Sequence, residues 1–114
     1  MNFLMVFLGG GLGACLRMSF SLLIGKFELP SWFGTLLANA IGCLILFIGF
    51  KYIAEMDKNL SQLVKIGFLG GLTTFSTFAF EVSSAFAQGK TKEAILIFVL
   101  NMMVGIVIGI GILR

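Results

Sequence analysis

The sequence predicts an all-α integral membrane protein of four transmembrane helices. Composition is the first observation: over 114 residues 59% are hydrophobic and 11% charged, with a mean hydropathy of +1.10, too little polar surface to clothe a soluble domain. Charge placement is the second. Four stretches are nearly free of it: 1–25 interrupted by Arg17, 29–50, 66–89 interrupted by Glu81, and 93–114 with Glu93 and Arg114 at its ends. At about 1.5 Å of rise per residue, about 20 apolar residues cross a hydrocarbon core roughly 30 Å thick. The connections 26–31, 51–61 and 88–92 are short, so residues 1–114 read as a single four-helix domain.

The first stretch has no basic start, and its arginine lies within the apolar run instead of before it, so it is expected to be a retained helix and not a cleaved signal. The second begins after Glu28, Leu29 and Pro30, where the chain ends one element and starts another, and Trp32 is expected at a membrane interface. The third contains GGLTTFSTFAF from Gly70 to Phe80. Paired glycines followed by paired β-branched threonines make a poor continuous helix, so a break is expected near Gly70 to Thr74. The fourth stretch is apolar after Asn101.

Small residues four apart recur in every stretch: Gly9 with Gly13, Ala38 with Gly42, Gly67 with Gly71, and Gly105 with Gly109. Such pairs let backbones approach closely, either within the chain or between copies of it. Four helices enclose a polar route poorly, which favours an oligomer. With both termini on one side, Lys51, Lys58, Lys65 and Arg114 stand against Lys26, Lys90 and Lys92. That near-balance specifies the direction of insertion weakly and permits both.

Several function classes are excluded. The eight basic residues form no patch and five acids offset them, so no nucleic-acid surface is expected. Cys15 and Cys43 lie in apolar runs as small packing residues. Without histidine, a nucleophile paired with a base, or a metal-ligating cluster, the chain is not expected to be an enzyme.

Polar residues inside a bilayer are costly, and here they are Arg17, Asn39, Glu81 and Asn101. An asparagine amide donates two hydrogen bonds without a charge, which suits either a mobile anion or an interhelical bond. Arg17 could attract anions in a vestibule, bind a lipid headgroup or cap helix-end carbonyls. Glu81 would lie toward one end of a polar route. Phe75 and Phe78, three apart, should project from one face with Ser76 and Thr77 beside them, and the positive edge of an aromatic ring can meet a small anion. Phenylalanines at this spacing are equally ordinary core or lipid-facing residues.

The motifs GGGLGACLR, GTLLANAIG and GFLGGLTTFSTFAFE, in this order, resemble the Fluc/CrcB family of fluoride channels over essentially the whole chain. The resemblance implies a dual-topology antiparallel homodimer in the bacterial inner membrane, with two fluoride pores and a central structural sodium ion. It implies that Phe75 and Phe78 meet the ion with their ring edges, that Asn39 lines the pore, and that Ser76 and Thr77 supply hydroxyls along it. By the same likeness the backbone carbonyls of Gly70 and Thr73 hold the sodium, Arg17 lies at a vestibule and Glu81 near a mouth. The hydroxyl-free fourth helix after Asn101 departs from the family pattern, leaving Thr35, Ser83, Ser84 or water for the far half of the route. The rival reading is a small dual-topology proton-coupled exporter of cationic drugs. That chemistry needs a membrane carboxylate, usually in the first helix, where this chain has Arg17.

Overall fold

The computed structural model describes residues 2–114. Met1, where the first predicted span begins, and the side chain of Lys51, counted above among the loop charges, lie outside the described residues. The elements are α1 (Phe3–Lys26), α2 (Trp32–Glu55), α3 (Lys58–Ser61), a π-helical segment (Gln62–Phe68), α4 (Leu69–Leu72), α5 (Phe75–Ala87) and α6 (Thr91–Leu113). Four crossings result, because α3, the π segment, α4 and α5 together make the third, Lys58–Ala87. Each is long and apolar enough to span a membrane, and the bundle is 48 Å along its longest axis.

The second connection is shorter than the sequence predicts. The polar stretch 51–61 reads as a loop, yet α2 runs on to Glu55 and α3 starts at Lys58. Asp57 explains the restart: its carboxylate accepts from the Asn59 amide at 2.9 Å as an N-cap. Polar residues at a helix end need no apolar face once they project beyond the hydrocarbon. At the other short connection Gly89 takes φ +75°, and the Lys90 amide reaches back to the Ala85 carbonyl at 2.9 Å, a Schellman closure of α5.

Two packing units build the bundle. In the first, α1 lies along the π segment and α4. Added β-carbons at Gly9 and Gly13 would strike the carbonyls of Leu63 and Phe68, and one at Gly71 would strike the carbonyl of Gly10, so the two backbones touch. In the second, α2 and α5 pack on α6 around Trp32, Phe78, Ala85, Ala94 and Ile97. Ala38 is fully buried in α2, Gly42 receives the Thr73 methyl, and Gly105 and Gly109 receive Cys43 and Phe47. All four small-residue pairs therefore serve packing within the chain.

Elsewhere the molecule turns its apolar side chains outward, as the bilayer requires. In α6 only Ala94, Ile97 and Gly109 are buried. Trp32 is buried at the head of α2, and its indole N–H donates to Glu93 Oε1 at 3.0 Å, tying the second crossing to the fourth.

Candidate functional site

The break in the third crossing falls at Thr73 and Thr74, whose backbones are extended at φ/ψ −81°/150° and −149°/121°. Gly70 and Gly71 remain helical in α4. The expected break is thus present, and the threonines carry it while the glycines do not. Gly71 is where α1 comes closest, and Gly70 faces open space.

A side chain from the second crossing, buttressed by one from the fourth, replaces helical bonds that the break forgoes. Asn39 of α2 accepts the Thr74 amide at Oδ1 over 2.7 Å and donates from Nδ2 to the Thr74 carbonyl over 3.1 Å. The same Nδ2 donates to Asn101 Oδ1 of α6 at 3.1 Å, and Asn101 Nδ2 donates to the Ile97 carbonyl at 3.1 Å. Thr74 then acts as N-cap of α5: its Oγ1 accepts the Thr77 amide at 3.3 Å, and its hydroxyl donates to Thr77 Oγ1 at 3.1 Å with Ser76 Oγ at 3.4 Å.

These diversions matter for two carbonyls. In a continuous helix the Thr74 amide would bond to Gly70 and the Thr77 amide to Thr73. Here both amides are taken by side-chain oxygens, of Asn39 and of Thr74 respectively. Gly70 and Thr73 are thus, with Gly71 and Leu72, among the four carbonyls that the break frees of their helical donors.

A cavity of about 240 Å³ lies beside the break, lined by Asn39, Thr73, Thr74, Phe75, Phe78, Asn101 and Met102. The two phenylalanine rings meet edge to face, with centroids 5.6 Å apart and planes at 60°. Their surroundings differ: Phe78 is 4% exposed and Phe75 73%. The rings share one face of α5, as expected from their spacing, but at different depths: Phe78 is a core residue and Phe75 projects from the chain. Gly70, Ser76 and Thr77 are also exposed in the single chain.

Glu81 stands one turn further along α5. Its Oε1 accepts the hydroxyl of buried Thr35 at 2.7 Å, while its Oε2 is buried without a hydrogen-bond partner among the described residues. Glu81 borders a second cavity, about 380 Å³, that also meets Ser84, Gln88, Lys90 and Glu93 near the α5–α6 turn. Of the groups considered for the far half of the route, Thr35 and Ser84 therefore belong to this end, and Ser83 is exposed. Arg17 is half-exposed on α1 and forms no ion pair among the described residues.

Two links of this network escape a reading of the sequence alone. Thr74 is the hub of the network, and its signal is the Thr-x-x-Thr spacing of an N-cap at the resumption of a helix. Asn101 stands out as costly, but nothing in one sequence pairs it with Asn39, 62 residues away.

A small four-crossing helical bundle, with its third crossing broken at a side-chain-bonded junction beside a polar cavity, defines a membrane transport protein. Residues 4–112 match the family described as CrcB-like protein, camphor resistance (CrcB). The chain belongs to the CrcB family. It is 39% identical over 103 residues to the fluoride-specific ion channel FluC of Escherichia coli strain K12, covering 88% of this chain and 81% of that one. The proteins of that name from Klebsiella pneumoniae strain 342 and Salmonella arizonae are 36% and 37% identical, over 86% and 88% of this chain and 80% and 81% of theirs.

Proposed function

We propose that this chain is a passive fluoride-selective channel of the bacterial cytoplasmic membrane, which exports the ion and catalyses no reaction. It works as an antiparallel homodimer with two pores and a central structural sodium. The observation that carries this reading is the one-sidedness of the broken crossing. Its interior is pinned by Asn39 and Asn101, whereas Gly70, Phe75, Ser76 and Thr77 face outward from the single chain. Hydroxyls exposed toward lipid alone would be poorly placed; a second inverted copy would cover them and complete a pathway. The near-balance of loop charges and the named activity of the relatives agree with it.

The residues supply neutral recognition. Because the Thr74 hydroxyl donates to Thr77, the Thr77 proton is left free to point at an anion. Phe75 and Phe78 lie edge to face, and the ring edges carry partial positive charge. Such groups replace part of a tight hydration shell with no full charge to trap the ion. Thr35 and Glu81, with Ser84 nearby, continue the route toward the mouth near Lys90, and Arg17 would serve a vestibule. Gly70 and Thr73 fit a sodium ion because their carbonyls have lost their helical donors and the Gly70 side is open. Bound there, sodium would supply a fixed positive charge between subunits. Fluoride that enters a cell as the neutral acid dissociates in the less acidic cytoplasm, and an inside-negative potential drives the anion out.

Purified protein in liposomes loaded with fluoride or chloride tests the reading. Under an outward gradient with the potential clamped by a potassium ionophore, fluoride should leave rapidly and chloride should stay. Equal release of both ions, or release of neither, overturns it. Proton-dependent uptake of a drug cation, abolished by Glu81→Gln, would replace it with the exporter reading.

A further inference from the structure

The hydrogen-bond chain through Asn39 has a fixed polarity. The Thr74 amide can only donate, so the atom of Asn39 that it meets at 2.7 Å is the oxygen. Nδ2 of Asn39 therefore faces the Thr74 carbonyl and Asn101, and Asn101 must present its own oxygen to it at 3.1 Å. Asn101 Nδ2 then turns to the Ile97 carbonyl, which can only accept. Every amide proton of Asn39 is spent: one on Thr74 and one on Asn101.

That count conflicts with a pore in which Asn39 donates to the passing anion, unless one of its bonds opens. The two are not equally free to open. The bond to Thr74 is half of a two-bond ring with the backbone, and releasing it would expose the junction that starts α5. The bond to Asn101 is a single side-chain contact, and both partners border the same 240 Å³ cavity as Phe75 and Phe78.

Resting on the channel reading above, we infer that Asn101 is a positioning residue whose carboxamide oxygen stands in for the anion. It occupies the Asn39 proton when the pore is empty, gives way to fluoride as the ion arrives and returns as the ion leaves. The exchange keeps Asn39 from ever holding an unsatisfied donor, which would otherwise grip the ion. Asn101 thereby weakens fluoride binding and speeds release.

Isotope-labelled protein in nanodiscs, titrated with sodium fluoride against sodium chloride, reads the exchange directly. The side-chain amides of Asn39 and Asn101 should shift with fluoride alone, while the Thr74 backbone amide stays fixed. Movement of Thr74 together with Asn39, or movement of Asn39 without Asn101, overturns the inference. In bilayer recordings Asn101→Leu should lower the half-saturating fluoride concentration by about threefold to tenfold, the value of one hydrogen bond, and lower the maximal current. Asn101→Asp, which holds a charged acceptor against Asn39, should raise that concentration and reduce current at least about tenfold. A purely structural Asn101 would reduce the number of active channels without moving half-saturation, and that result refutes the exchange. Absence of fluoride current in the unmodified protein would refute the channel reading itself, a distinct outcome.

Discussion

Asn39 and Thr74 close a two-bond ring across 35 residues of sequence: the Thr74 amide donates to Oδ1 at 2.7 Å, and its carbonyl accepts from Nδ2 at 3.1 Å. One side chain thus meets both the N–H and the C=O of a residue left extended inside a membrane helix, where water cannot. The break is stable because α2 brings an amide to it. With the pore role proposed for Asn39, recognition and folding would share one residue, and substitutions must be chosen to separate them.

Asn39→Ala should destabilise the fold, since it strands the buried Thr74 N–H and removes one of the donors to the Thr74 carbonyl. With about 1–3 kcal/mol for each unsatisfied group, the loss should exceed that of a typical point mutation. Asn39→Asp should fall between, because a carboxylate still accepts from the Thr74 amide but opposes the Thr74 carbonyl and Asn101 Oδ1. Thermal unfolding in detergent, followed by size-exclusion chromatography, ranks the three proteins.

The two phenylalanines should respond differently despite their contact. Phe78 is 4% exposed in the cluster with Trp32, Ala85 and Ile97, so Phe78→Ala should cost about 3–5 kcal/mol of stability as well as flux. Phe75, 73% exposed, should tolerate Phe75→Ile with the fold intact and fluoride flux sharply reduced. Undiminished flux in Phe75→Ile would remove the ring edge from the mechanism; a melting temperature lowered equally in both would contradict the burial difference.

Much of this architecture is legible in the order of the amino acids alone. Hydropathy finds the crossings, because a span must be apolar whatever its neighbours, and the Gly-Gly-Leu-Thr-Thr run marks the broken helix. The break falls inside the predicted stretch, at Thr73 and Thr74; what one sequence does not reveal is that the glycines stay helical, Gly71 answering the approach of α1 at Gly10 and Ala14. It also misses the helical start at Lys58, where an Asp57 cap outweighs polarity. Pairings such as Asn39 with Asn101 and Thr35 with Glu81 lie 62 and 46 residues apart, and no local propensity encodes them. The unequal burial of Phe75 and Phe78 likewise depends on where α6 sits.

Backbone contact between α1 and the third crossing predicts a steep position dependence for alanine. At Gly13 a β-carbon would strike the Phe68 carbonyl and lie 2.7 Å from the Leu72 nitrogen, atoms that cannot rotate away. Gly13→Ala should separate the helices and lower the melting temperature substantially. At Gly11 nothing lies within 4 Å, and alanine's higher helix propensity should leave stability unchanged or raised by up to about 1 kcal/mol. Equal destabilisation by both would argue against this packing.

Gly70 provides the sharpest test of a second copy. Within one chain its missing β-carbon would meet nothing within 4 Å, and the residue is helical with no positive φ, so the isolated fold offers no objection to alanine. Intrinsic propensity even favours the change. If an inverted partner packs its own broken crossing here, the added methyl collides with that partner or crowds the carbonyls proposed to hold sodium. Gly70→Ala should then preserve helical content while reducing dimer yield and fluoride efflux, with partial recovery of the dimer at high sodium. Cross-linking in membranes measures the first and a fluoride electrode the second. A Gly70→Ala protein that dimerises and conducts like the unmodified chain would place the partner on another face, because no contact within the single chain could mask the effect.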